Sequence, residues 1–144
     1  MAVVTQLSYS ECEALLRAGI FGRLALSTPD GPDIFPLNYR VVDGAVMICT
    51  GADTVVARHA GGAPVAFETD LVDHERWRGW SVVAHGTAEV VVDTERDGSH
   101  LNRPRPWADG DRNVWIRLAW TSLSGRKLGT GWDALLAMPA RTTL

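Results

Sequence analysis

The run PLNYRVVDGAVMICT, from Pro36 to Thr50, holds two strand-forming stretches separated only by Asp43 and Gly44. An Asp-Gly pair favours the left-handed backbone conformations of a two-residue hairpin, so AVMICT is expected to pair back directly on the stretch before it. Upstream, IFGRLALST is rich in strand formers and ends in PDGP, where proline and glycine geometry favours a turn, and DIFPLNYRVV then returns. Three antiparallel strands are predicted, and a helix precedes them. That helix opens in SYSECEALLRAG with two overlapping Ser-x-x-Glu boxes, Ser8 with Glu11 and Ser10 with Glu13, whose side chains satisfy the free amides of a helix start. Gly19 then supplies a stop.

Beyond the hairpin, TVVARHAG is expected to make two helical turns before Gly61-Gly62, and PVAFETD resumes strand character. LVDHERWRG reads as a polar connection. In WSVVAHGTAEVVVD, apolar and polar residues alternate around Gly86, and a glycine inside a strand often marks a bulge. TERDGSHLNRPRPWADGDRN is too rich in Pro, Gly and charge for a core strand and reads as a long loop or helix-containing excursion. VWIRLAWTSLSGRKLG sets Val114, Ile116 and Leu118 against Trp115, Arg117 and Ala119, which predicts a last strand with one face on the core. Six strand-like runs with two or three short helices predict a mainly β protein, a closed or nearly closed antiparallel barrel.

At 144 residues the chain falls in the range of one domain, and a chain of about 150 residues buries roughly 68–70% of its unfolded surface. The expected organisation is one domain over 1–144, with a core from about Leu7 to Leu128 and a tail from 129 to 144. With 46% hydrophobic and 22% charged residues, the composition is that of an ordinary soluble globular protein. No apolar run approaches the ~18 residues of a spanning helix, and the N-terminus lacks the cationic start of a secretion signal, so no membrane partner and a cytoplasmic location are expected. A net charge of −3 argues against nucleic-acid binding, which needs a basic field.

His59, His74, His85 and His100 are at least eleven residues apart and never fall into paired helical spacing, so no metal site is expected. Cys12 and Cys49 sit in apolar surroundings and read as buried free thiols. No Gly-x-Ser-x-Gly elbow occurs, and hydrolase chemistry finds no support. Trp77, Trp80, Trp107, Trp115 and Trp120 suit either a ligand wall or subunit seam, or the core and rims of a small barrel.

The corner TGADT carries more chemistry. Its amides and the hydroxyls of Thr50 and Thr54 would converge on an anion if Thr54 starts a helix, where unpaired amides and the helix dipole favour negative charge. The plainer reading of a Thr/Gly/Asp turn between strand and helix is a cap.

The order of these elements, with ALLRAG, FGRLAL, Pro-x-Asn-Tyr, Asp-Gly, a strand ending in Thr, PVAFETD and GWSVVAHGTAEVV, resembles the pyridoxamine 5'-phosphate oxidase-like family of flavin-binding split barrels. RPWADGDRNVWIRL and SGRKL are similar to the C-terminal part of its small actinobacterial members. The resemblance implies a six-stranded split barrel and a homodimer with FMN in two grooves at the subunit interface. It places Pro36, Leu37, Asn38 and Tyr39 along the isoalloxazine edge, Thr50, Gly51 and Thr54 at the phosphate, and Trp80 and Ser81 across the groove. Read from the residues alone, Asn38 and Tyr39 equally suit a hydrogen-bonded barrel rim.

Many relatives carry a lysine or arginine where this chain has Val55. A charge-assisted hydrogen bond is worth roughly 1.5–3 kcal/mol, so its loss weakens binding by about ten- to more than a hundredfold. Arg58, four residues after Thr54 on the same helical face, is a candidate substitute, its plainer reading being a solvated side chain; Arg23 and Arg126 are other cations that folding could bring near. The resemblance implies a flavin-dependent oxidoreductase acting on a small-molecule substrate. Two alternatives stand beside it: a deazaflavin-dependent reductase on the same barrel, and a non-catalytic protein that has lost tight flavin binding. The chain lacks the clustered arginines and histidines that vitamin B6 oxidation would require, and no residue stands out as a proton donor.

Overall fold

Period-two alternation along most of the chain produces a strongly curled antiparallel sheet with its apolar side turned inward. The computed structural model describes residues 3–92 and 113–139. In order come β1 (Val4–Gln6), α1 (Tyr9–Ala18), β2 (Phe21–Thr28), β3 (Gly31–Asn38), β4 (Arg40–Val42), β5 (Ala45–Thr50), α2 (Val55–His59), β6 (Pro64–Asp73), β7 (Arg78–Val92) and β8 (Val114–Leu128). The strands are arranged β3-β2-β6-β7-β8-β5-β4, with β1 added on β8. The sheet curls until β3 packs near β5.

This is the expected mainly β, split-barrel architecture with few helices, but with eight strands among the described residues in place of six. Two local causes account for the difference. The run DIFPLNYRVV breaks at Tyr39, whose amide donates to the Ile20 carbonyl at 3.1 Å while its ring turns into the core. Val4–Gln6 adds a short strand by pairing with Leu128, Lys127 and Arg126. The expected excursion over TERDGSHLNRPRPWADGDRN lies outside the described residues except for Asn113, and His100 and Trp107 lie outside them too.

The Asp-Gly hairpin forms as the sequence requires, with φ of 49° at Asp43 and 72° at Gly44 and Val42 paired with Ala45. Of the two capping boxes only the first closes: the Glu11 amide donates to Ser8 Oγ at 3.2 Å, and the Ser8 amide to Glu11 Oε2 at 2.7 Å. Glu13 instead takes Arg17 at 2.8 Å, one helical turn on. Gly19 does end α1, yet its φ of −72° is ordinary extended backbone. Glycine is needed there because a Cβ would fall on the Tyr39 hydroxyl. Gly86 marks a bulge, where the β7–β8 register passes from His85↔Ser122 to Gly86↔Trp120 and leaves Thr121 unpaired. LVDHERWRG is less of a loop than expected, since β6 and β7 extend into it as a hairpin down to Asp73 and Arg78.

Leu24 and Leu26 from β2, Val46 and Ile48 from β5, Phe67 from β6, Val82 and Ala84 from β7, and Ile116 and Leu118 from β8 fill the interior with Cys12, Leu15 and Leu16 of α1. Cys12 is buried as expected, where burial pushes its thiol above the usual range; Cys49 is only half-buried, and neither forms a disulfide among the described residues. Residues after β8, expected as a tail, fold back: the Arg78 guanidinium lies 4.7 Å over the Trp132 ring, Lys127 Nζ donates to the Trp132 carbonyl at 3.1 Å, and Ala134 is buried. Among the described residues no helix is long and apolar enough to cross a membrane.

Candidate functional site

Because β-strands alternate, every buried position of β2, β6 and β7 fixes its neighbour on the outside of the sheet. Outward-facing positions line up through the pairing registers. One row runs Pro36, Arg23, Glu68, Val83 and Ser124 across β3, β2, β6, β7 and β8; a second runs Ile34, Ala25, Ala66, His85 and Ser122; beyond the last β2–β6 pair, Asn38 faces Phe21 across β3 and β2, and Asp70, Ser81 and Arg126 line up across β6, β7 and β8. An outward strip results, mixing small, apolar and polar residues with the charged Arg23, Glu68 and Asp70 and, at its β8 end, Arg126.

The expected cofactor residues divide between the two faces. Pro36, Asn38 and Ser81 lie on the outward strip, with Pro36 exposed and the other two half-buried. Leu37 packs against the core. Tyr39 is 2% exposed; its hydroxyl donates to the Leu16 carbonyl at 2.6 Å, and its ring meets Phe67 edge-on at 4.7 Å. Trp80, beside Ser81 in sequence, turns inward and is 3% exposed, and its indole N–H has no partner among the described residues. Trp115 is also buried, Trp120 donates to the Tyr9 hydroxyl at 2.9 Å, Trp132 carries Arg78, and Trp77 stands 81% exposed at the β6–β7 turn. The described tryptophans are thus dispersed.

The corner after β5 is a tightly knit cap. Thr54 Oγ1 accepts from the Ala57 amide at 3.2 Å and donates to the Gly51 carbonyl at 2.9 Å, and Thr50 Oγ1 lies 2.8 Å from it. With the Thr54 proton on Gly51, the Thr50 hydroxyl must donate to Thr54, so both hydroxyl protons are used within the turn. Thr50 and Gly51 are buried, Thr54 and Val55 half-buried, and Arg58 exposed. α2 packs against β2, and its buried Val56 joins the core. What remains for an anion is the main chain of the first turn, whose amides have no intrahelical acceptor.

A charged group that sequence reading did not assemble sits in the middle of the strip. Arg23 Nη1 lies 2.9 Å from Glu68 Oε2 and 3.3 Å from Asp70 Oδ1, and the guanidinium also lies 5.9 Å over the Phe21 ring. Partial burial and the neighbouring Asp70 carboxylate push Glu68 above the usual carboxylate range, while Arg23 opposes them. Arg23 is therefore engaged by two carboxylates and is no free counter-ion for a phosphate; Arg126 lies across from Ser81 at the end of its row. The clue in the sequence was parity: Glu68 and Asp70 are two apart, hence on one face of a strand. Their meeting with Arg23, 45 and 47 positions away in the chain, depends on β2 pairing with β6, which no local pattern specifies. Among the described residues no three His, Cys, Asp or Glu side chains gather to hold a metal.

Comparison with known proteins agrees with this fold. An uncharacterised Mycobacterium tuberculosis protein, Rv0080, is 34% identical over 111 residues, covering 74% of this chain and 73% of that one. The structure of an FAD binding protein from Mycobacterium smegmatis is similar with a TM-score of 0.67 and 30% identity, covering 87% of this chain and 98% of that one. An FAD-binding protein from Mesorhizobium loti shares the fold with a TM-score of 0.70 at 24% identity, covering 90% of this chain and 100% of that one. The family model described as pyridoxamine 5'-phosphate oxidase matches residues 8–127, a span that includes the outward strip, the threonine corner and every strand from β2 to β7. On that match, the chain belongs to the pyridoxamine 5'-phosphate oxidase-like family.

Proposed function

We propose that this chain is a single split-barrel domain that binds a flavin, FMN, in two equivalent grooves where the outward strips of two copies meet, and that it is a cytoplasmic flavin-dependent oxidoreductase acting on a small molecule. The observation that carries the reading is the composition of the strip. Ala25, Ile34, Pro36, Ala66 and Val83 occupy positions that a sheet face meant for water fills with polar side chains. Ile34 alone is 63% exposed in the single chain. A flat ring with one polar edge suits such a surface: the apolar rows take its face, and the Asn38 amide and Ser81 hydroxyl take its edge. Leu37, Tyr39 and Trp80 act from behind, holding the strands that present those groups.

The phosphate is assigned to the corner of Thr50, Gly51 and Thr54, where the first-turn amides of Val55 and Val56 supply the donors. Arg58 is the cation on the same short helix. With Val55 uncharged and both threonine protons engaged in the turn, a dianionic phosphate gains less here than at a corner with a cation of its own. That observation favours a second reading, FAD, whose pyrophosphate bridge carries one negative charge per phosphorus; the similar Mycobacterium smegmatis protein is an FAD binding protein. A bound flavin would supply the hydride chemistry, and the chain would supply orientation and exclude water.

An absorption spectrum of the purified protein, followed by titration with FMN and with FAD under fluorescence detection, tests the reading. Flavin bands or saturable quenching by one of the two, with a light-scattering mass about twice the 15.7 kDa of one chain, is the expected result. A colourless monomer that ignores both cofactors overturns it.

A further inference from the structure

We propose that Glu68 and Asp70, bridged by Arg23, share a proton on the outward strip, and that Glu68 delivers it to the ligand bound there. The donor role rests on the flavin reading above; the sharing of a proton does not. Two carboxylates on alternate residues of one strand both approach a single guanidinium nitrogen, at 2.9 and 3.3 Å, so the cluster holds two negative charges against one positive. In a single chain Glu68 is half-buried and Asp70 exposed, and covering the strip with a ring or a second copy removes more water from both. Protonating one carboxyl is the cheapest way to relieve that surplus.

Position supports the role. Arg23 pairs with Pro36 on one side and with Glu68 on the other, so Glu68 lies two strands, about 10 Å, from the edge assigned to the ring. A three-ring system anchored at Pro36 and Asn38 and lying across β2 extends toward Glu68. The groups facing Glu68 are few. Arg23 comes from β2 and Asp70 from its own strand; β7 presents Val83 directly, flanked by Ser81 and His85; β8 presents Ser124 and Arg126; the outward positions of β3 are uncharged. The direction of the Glu68 shift agrees with this arrangement.

A hydride donor of the dihydronicotinamide class gives two electrons and one proton to the bound flavin and leaves as the oxidised nicotinamide cation. The O–H bond of the Glu68 carboxyl breaks, an N–H bond forms on the reduced ring, and the resulting carboxylate is reprotonated from water by way of Asp70.

Two measurements decide the matter. In flavin-free protein, carboxyl carbon resonances followed against pH should show Glu68 titrating above the ordinary glutamate range. Asp70→Asn should move that midpoint down by removing a like charge, and Arg23→Gln should move it up by removing the opposing cation. A Glu68 midpoint unmoved by both substitutions overturns the shared proton whatever the cofactor. In FMN-loaded protein, Glu68→Gln should slow flavin reduction by a nicotinamide donor at least about tenfold at neutral pH and flatten its pH profile, with FMN affinity within about threefold of wild type. An unchanged rate and profile overturns the donor role. Absence of any flavin binding by the wild type overturns that role together with the flavin reading, while the resonance titration still decides the sharing.

Discussion

The two faces of β2 and β6 are built from the same strands and held by the same hydrogen bonds, yet they carry opposite demands. Inward, Leu24, Leu26 and Phe67 are at most 2% exposed, and their volume is matched to the strands around them. Outward, Arg23, Ala25, Ala66, Glu68 and Asp70 are half-buried or exposed, and the mixture of apolar and charged groups is poorly suited to bulk water. The inner face explains why the chain folds. The outer face has no such explanation within one chain, and that asymmetry is the ground of the proposal that it meets a ligand and a second copy.

Substituting the inner face gives the largest expected effect. Phe67→Ala empties a fully buried site against which Tyr39 packs, and should cost about 3–5 kcal/mol in denaturant unfolding. A cost below about 1 kcal/mol would mean that the interior is not the close-packed layer described. At the corner, Val55→Lys should tighten FMN binding by at least about tenfold in a fluorescence-quench titration, because it restores a charge-assisted bond worth roughly 1.5–3 kcal/mol. An unchanged affinity would place the phosphate elsewhere. Smaller still, Ser8→Ala removes the α1 cap and should cost about 1 kcal/mol of stability while leaving any flavin affinity unchanged, since Ser8 is not among the residues assigned to the flavin.

The smallest effect concerns pH, where the two kinds of carboxylate oppose one another. Hydrogen bonds from the Ser8 main chain and side chain hold Glu11 below its usual range, and the Arg76 amide, with the guanidinium groups of Arg76 and Arg78, does the same for Asp73. Their folded values are depressed, so their contribution is present above the ordinary carboxylate range and is lost as pH falls through the folded values. Glu68 is raised, chiefly by burial, so its contribution is complete below the ordinary glutamate value and is lost as pH rises through the folded one. Glu68→Gln should therefore slightly improve stability near neutral pH and leave the acid side unchanged; a loss near neutrality would contradict the sign of its shift.

Local chemistry in the sequence accounts for a good part of this fold and for little of the strip. Asp43-Gly44 specifies its hairpin because few residues accept those dihedral angles, and Gly86 marks its bulge because a Cβ would collide with the Ala119 carbonyl. Ser8 and Ser10 were indistinguishable as caps, since choosing between them depends on where the chain enters the helix. Gly19 looked like a helix stop for a conformational reason, while the structure gives a steric one, the Tyr39 hydroxyl. Alternation alone separates Trp80 from Ser81 and Leu37 from Asn38, placing one of each pair inside. The ion triad was beyond reach because its register is set by two strands distant in sequence.

The central claim is that the outward face, rather than the interior, holds the cofactor between two copies. Val83→Arg tests it most directly: the side chain points out from the middle of the strip, so the barrel should fold with a wild-type unfolding midpoint. Titration of that variant with FMN should show quenching lost or weakened by more than about tenfold, alongside a light-scattering mass of one chain. Wild-type affinity in a monomeric Val83→Arg protein would contradict the account.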